Sequence, residues 1–134
     1  MTTKRFKNWK KPKIIHGQPT RYNWIVLYPE GLKLGKYTDI GAYTLIVAKY
    51  GVEIEEGVEI GSHCSIYSYS TIDDKIGRVV LKKNCKIGTH SSIMPGVTIG
   101  ENTIVGAHSF VNKSLPSNVV AVGCPAKIIK RLKR

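Results

Sequence analysis

The feature that most constrains this chain is a period of six residues. From Ile87 to Val111 the sequence reads IGTHSS, IMPGVT, IGENTI, VGAHSF and then Val111, and an aliphatic residue opens every unit (Ile87, Ile93, Ile99, Val105, Val111). A small or short residue stands four places later, at Ser91, Val97, Thr103 and Ser109, and glycine follows the opener three times, at Gly88, Gly100 and Gly106. A sustained six matches neither the 3.6 of a helix nor the two of an alternating strand. It predicts short strand, turn, short strand, turn: a flat-sided coil whose aliphatics point inward.

The rhythm reaches back to Leu34, through Ile40 and Ile46, then Ile54, Ile60, Ile66 and Ile72, then Leu81. Two register breaks interrupt it. One adds two residues around Ala48 to Gly51; the other is counted as three within Asp73 to Arg78. Three sixes close one triangular coil, so the expected fold is all-β, a parallel β-helix of about four to five coils spaced by roughly 4.8 Å. On this count Cys64 and Cys85 occupy equivalent inward positions on one side, His90 and His108 stack at a turn, and His63, Asn84 and Asn102 form a third row. A stack needs its ends covered. The expected division is therefore a basic N-terminal arm (1–31), the repeat body (32–114) and a closing segment (115–134), which Pro116 and Pro125 take out of the rhythm.

At 134 residues the length fits one domain. The net charge of +12 is uneven: residues 4–13 hold six bases, the last eight hold five, and neither end holds an acid. Such an excess speaks of anionic ligands at the two ends and not of a basic body. No recognisable nucleic-acid module accompanies it beyond Phe6 and Trp9 among the bases, so no nucleic-acid partner is expected. No stretch approaches the roughly 18 apolar residues of a membrane span, and no apolar leader opens the chain, so a cytoplasmic location is expected. Three cysteines without CxxC spacing fit reduced thiols.

These repeats, followed by MPGVTIGENTIVGAHSFVNKSLPSNVVAVGCPAKIIKRLKR, resemble the hexapeptide-repeat acyltransferases. The ending NVVAVGCPAKIIK is similar to that of the galactoside, maltose and xenobiotic acetyltransferase branch. The resemblance implies a left-handed parallel β-helix, a homotrimer, and acetyl-CoA as cosubstrate with no metal required. It places the active site between adjacent subunits, with CoA in a groove along the helix axis. Carried over by motif position, the cofactor residues are the turn residues Thr89 and Ala107, the pair Asn112 and Lys113, and the bases Lys127 and Lys130. Small turn residues let a thin thioester arm approach the backbone, and lysines at one end meet a phosphate cluster.

Acetyl transfer needs a hydroxyl or amine deprotonated as it attacks the thioester. A neutral histidine suits this, with a backbone N–H to steady the oxyanion. The galactoside-type enzymes keep that histidine in the loop corresponding to Tyr67–Arg78, and here the loop, YSYSTIDDKIGR, has none. His63, where those enzymes keep an asparagine, is the first substitute and His90 the second. Asp73 or Asp74 is suited to orient an imidazole or hold an acceptor amine. Tyr67, Ser68, Tyr69 and Ser70 offer stacking and hydrogen bonds to a sugar. The competing readings are solvated turn histidines and tail lysines. Cys64 and Cys85 read as packing residues, which favours direct attack in a ternary complex over an acyl-cysteine. The expected reaction is O- or N-acetylation of a sugar, foremost a nucleotide-linked amino sugar for surface glycan synthesis. A non-catalytic assembly module and a γ-carbonic-anhydrase-like zinc enzyme are the alternatives.

Overall fold

The computed structural model describes residues 7–133; Lys4, Arg5 and Phe6 of the basic arm, and Arg134, lie outside the described residues. Strands of two or three residues, longer only at the C-terminal end, build three faces of parallel pairs. The first face stacks Ile25–Leu27, Leu45–Val47, Ser65–Tyr67, Ser92–Ile93 and Phe110–Val111. The second stacks Leu32–Leu34, Val52–Ile54, Val79–Leu81 and Thr98–Ile99. The third runs from Asp39–Ile40 through Glu59–Ile60, Lys86–Ile87 and Ile104–Val105 to Val119–Gly123, where Ala126–Arg131 turns back antiparallel along its edge.

The period of six explains the shape. Each unit supplies one residue whose side chain points inward, and those residues pair from coil to coil: Val26 on Ile46, Ile46 on Ile66, Ile66 on Ile93, Ile93 on Val111. The other faces repeat this with Ile54, Leu81 and Ile99, and with Ile60, Ile87 and Val105, all buried. The result is one continuous apolar column, the dominant stabilising term of a stack whose backbone bonds run between coils. Where the chain crosses a corner, the coils approach so closely that a side chain on Gly88 would put its Cβ 2.6 Å from the Ala107 nitrogen. Only glycine fits there. At the N-terminal end Trp24, 3% exposed, closes the column. Among the described residues no helix is long and apolar enough to cross a membrane.

The first register break adds two residues, as the count predicts: Ile46 stacks on Ile66, twenty residues on. The second differs. Ile66 stacks on Ile93, and Ile54 on Leu81, a step of 27. The insertion is therefore nine residues and not three. Tyr69–Ser70 pairs antiparallel with Lys75–Ile76 in a hairpin that leaves the prism, and Ile72 at its tip is 96% exposed. Ile72 opens no inward unit. The same correction moves two rows. Cys64 lies between Thr44 and Ser91, and Cys85 on a different corner between Val58 and Thr103. His63 leaves the asparagine row and stacks on His90.

Both internal cysteines pack inward. Burial raises the Cys64 thiol and pushes Cys85 up to about 12, with the Glu55 charge adding to the latter. Cys124 is exposed. Thiolate is the reactive species, so a disulfide reagent at pH 8 is expected to label Cys124 alone in the native protein. Unfolding should release the other two, and rapid native labelling of Cys85 would contradict its placement in the core.

Candidate active site

The corner joining the third face to the first carries a ladder of four rings. Tyr43 lies against His63 at 5.2 Å between centroids, His63 stacks on His90 at 4.7 Å with the planes 2° apart, and His90 stacks on His108 at 4.9 Å and 11°. All four residues hold left-handed backbone, with φ of 66°, 59°, 60° and 59°. A β-carbon in that region costs about 1–2 kcal/mol per residue, and glycine or asparagine lowers the cost. The next corner also opens on a tyrosine, Tyr37, but then uses Gly57, Asn84, Asn102 and Asn118 at the equivalent turns. The ring-bearing corner thus keeps imidazoles where the backbone prefers smaller residues, a pattern associated with functional positions.

Beneath the ladder runs an inward row of short polar side chains that fixes the turns. Thr44 donates to the Gly61 carbonyl at 2.9 Å and accepts from the Cys64 N–H at 3.2 Å. Ser91 accepts the Ser109 N–H at 3.2 Å, and Ser109 donates to the Gly106 carbonyl at 2.7 Å while accepting from the Gly123 N–H at 3.1 Å. Small polar residues at the fourth position of the repeat therefore tie each turn to the next coil.

The three histidines are exposed but not equivalent. Thr89 donates its hydroxyl proton to the Ser62 carbonyl at 2.8 Å, and its oxygen lies 2.9 Å from His90 Nδ1. With its one proton spent on Ser62, the hydroxyl accepts from Nδ1–H. That selects the tautomer in which Nε2 of His90 carries a free lone pair, the form a general base requires. His63 is held by ring contacts with Tyr43 and His90 and makes no side-chain hydrogen bond among the described residues. His16 is engaged elsewhere, accepting the Tyr28 N–H at 2.9 Å.

The other sequence-derived residues fall on several surfaces. Thr89 and Ala107 lie on the ladder corner beside His90 and His108. Lys127 and Lys130 are exposed on the antiparallel edge strand of the third face. Asn112 and Lys113 stand at the far end of the first face, on the corner that also projects the hairpin. Tyr69 there meets Tyr50 edge-on at 5.4 Å, with the Lys49 ammonium 5.3 Å from its ring. Asp73 pairs with Lys75 at 3.9 Å, and both are exposed. Ser68 is buried, donating to the Val47 carbonyl at 2.7 Å and accepting the Tyr50 N–H at 3.0 Å, and Ser70 is 8% exposed. Within the chain the strand Ser65–Tyr67 separates the hairpin from the histidines. A shallow groove of about 280 Å³ runs along the third face beside the ladder, lined by Asp39, Glu59 and Lys86 with Gly61 and Gly88 at its edge. Among the described residues no three His, Cys, Asp or Glu side chains gather as a ligand set for a metal ion. The count from sequence passed over Tyr43 and Ser62, although the two-residue break already aligns position 43 with 63.

The fold is thus a parallel β-helix of hexapeptide repeats that carries a polar, histidine-bearing corner. Residues 78–113 match the family described as bacterial transferase hexapeptide (six repeats). The chain is 38% identical over 113 residues to a protein of Escherichia coli (strain K12) named as a colanic acid biosynthesis acetyltransferase, WcaF, covering 78% of this chain and 61% of that relative's length. It is 46% identical over 54 residues to the galactoside O-acetyltransferase of Escherichia coli (strain K12), covering 40% of this chain and 27% of the enzyme. A solved structure of a variant of AntD, an N-acyltransferase from Bacillus cereus, in complex with dTDP-4-amino-4,6-dideoxyglucose and coenzyme A, superposes with a TM-score of 0.60 at 32% identity, over 84% of this chain and 72% of that one. The chain belongs to the hexapeptide-repeat acyltransferases.

Proposed function

We propose that the protein transfers an acetyl group from acetyl-CoA to a sugar, foremost the amine of a nucleotide-linked amino sugar, in the cytoplasm. The observation that carries this is the His90–Thr89–Ser62 chain on a corner whose small turn residues leave room for a thioester arm. The acceptor class is supported by two similar proteins, one named for colanic acid biosynthesis and one holding dTDP-4-amino-4,6-dideoxyglucose with coenzyme A. The groove beside the ladder carries the carboxylates Asp39 and Glu59, and Glu59 already pairs there with the Lys86 ammonium at 3.9 Å, so the groove holds charge of the sign that attracts an ammonium group.

In this reading a ladder imidazole removes the proton of the acceptor as it attacks the thioester carbonyl. The tetrahedral intermediate then collapses, the imidazolium returning its proton to the departing sulfur so that CoA leaves as the thiol, without an acyl-enzyme. His90 is favoured over His63 because, of the two, His90 has the ring nitrogen held by a hydrogen bond. Thr89 and Ala107 line the pantetheine path, and Lys127 and Lys130 meet the cofactor phosphates. Asn112, Lys113, Asp73, Asp74 and the hairpin tyrosines lie one face away from the ladder. They complete the site across a trimer interface, where the corner of one subunit faces the hairpin corner of its neighbour.

The test is a panel of nucleotide sugars, with and without a free amine, incubated with acetyl-CoA and read by thiol release and product mass. Transfer to an amino sugar nucleotide, with a mass gain of one acetyl group, is the expected result. Acetyl-CoA that binds without any transfer across the panel would favour the non-catalytic assembly reading.

A further inference from the structure

The N-terminal end of the prism contains a cavity of about 520 Å³, set apart from the histidine corner. Its wall combines three aromatic rings, Trp9, Tyr22 and Trp24, with three cations, Lys7, Lys10 and Arg21, against a single carboxylate, Asp39. The wall is fixed from both sides. The Trp9 indole N–H donates to the Thr38 carbonyl at 2.8 Å, which pins the arm to the first coil. The Thr20 hydroxyl accepts the backbone N–H groups of Tyr22 and Trp24 at 3.2 and 3.4 Å, which holds the turn that carries Arg21. The Arg21 guanidinium lies 5.3 Å from the Tyr22 ring, so one cation and one ring already share a surface.

We propose that this cavity binds the ring and phosphates of a nucleotide. Flat aromatic walls stack on a planar base, and Arg and Lys side chains pair with phosphate oxygens. The volume falls within the usual range for small-molecule sites. The turn that carries Arg21 and Tyr22 into the cavity wall also meets the ladder. Asn23, next to Tyr22, accepts the Tyr43 N–H at 2.6 Å, and the Tyr43 ring lies against His63. A nucleotide seated here directs whatever its diphosphate carries toward the top of the histidine row. The inference rests on the proposed acyl transfer only for which nucleotide is involved. Two sources share the chemistry, the nucleoside diphosphate of the acceptor and the adenosine phosphates of the cofactor.

Calorimetric titration of the full chain with dTDP, UDP and CoA separately distinguishes these sources, in wild type and in Arg21→Ala, Lys10→Gln and Trp9→Ala. The first two substitutions alter exposed side chains, and thermal melting checks that each variant is folded. The expected result is that a nucleoside diphosphate binds the wild type and weakens at least tenfold in Arg21→Ala and Lys10→Gln, with CoA affinity unchanged. A tenfold loss confined to CoA assigns the cavity to the cofactor's nucleotide. Unchanged affinities for all three ligands in folded variants, or no binding of any of them to the wild type, overturns the proposal. A protein that transfers acetyl groups but shows no dependence on these residues loses only this inference. One that binds a nucleotide through them but transfers nothing loses only the proposed function.

Discussion

Replacing His90 by alanine is expected to lower acetyl transfer between about 100- and 10,000-fold, the range for loss of a positioned general base, while CoA binding and the fold persist. The side chain is exposed and contributes no core volume, so a folding defect would not explain the loss. Its partner supplies the control. Thr89→Val keeps the shape of the side chain and removes the hydroxyl, so the imidazole loses the acceptor that sets its tautomer. In that variant kcat should fall roughly tenfold with little change in the KM for acetyl-CoA. His63→Ala should have a smaller effect than His90→Ala, since His63 contributes a stacked ring and no oriented lone pair. If steady-state kinetics give the larger loss to His63→Ala, the base is the upper imidazole, and the Thr89 hydrogen bond is only a tie between coils.

How far the sequence alone reaches depends on what each residue's position is counted from. Within Ile87 to Val111 the rhythm is uninterrupted, so spacing translates directly into stacking. The pairing of His90 with His108, eighteen residues apart, follows from it. Across Tyr67–Arg78 the same arithmetic slips. Ile72 stands six residues after Ile66 and looks like another opener, yet the hairpin carries it away from the axis. Counting three inserted residues sets His63 opposite Asn84 and Cys64 opposite Cys85; the true nine sets them opposite His90 and Ser91. A local signal was present. Asp73 and Asp74 are turn formers that tolerate left-handed backbone, and Asp74 adopts φ of 56°. The histidine ladder was hidden by that one miscount and not by any weakness of the repeat. The N-terminal cavity was illegible for another reason: its walls join residues 7–12 to residues 21–40 through tertiary packing that no period encodes.

Ile66 and Ile72, equal in composition and one repeat apart, should therefore respond in opposite ways to the same substitution. Ile66 is fully buried, with Ile46 above it and Ile93 below. Alanine there removes three methyl or methylene groups from the middle of the column and leaves a cavity that neighbouring coils, tied by backbone bonds, cannot easily close. A cost of about 2–5 kcal/mol is expected, a large share of the roughly 5–15 kcal/mol that holds a domain folded. Melting should fall by roughly 10 °C or more. At Ile72, 96% exposed at the hairpin tip, the change should lie within about 0.5 kcal/mol. Thermal and urea unfolding of the two variants beside the wild type make the comparison. Equal destabilisation would return Ile72 to the core and restore the shorter insertion. With it would fall the alignment of His63 on His90, because both depend on where the chain re-enters the prism after Arg78.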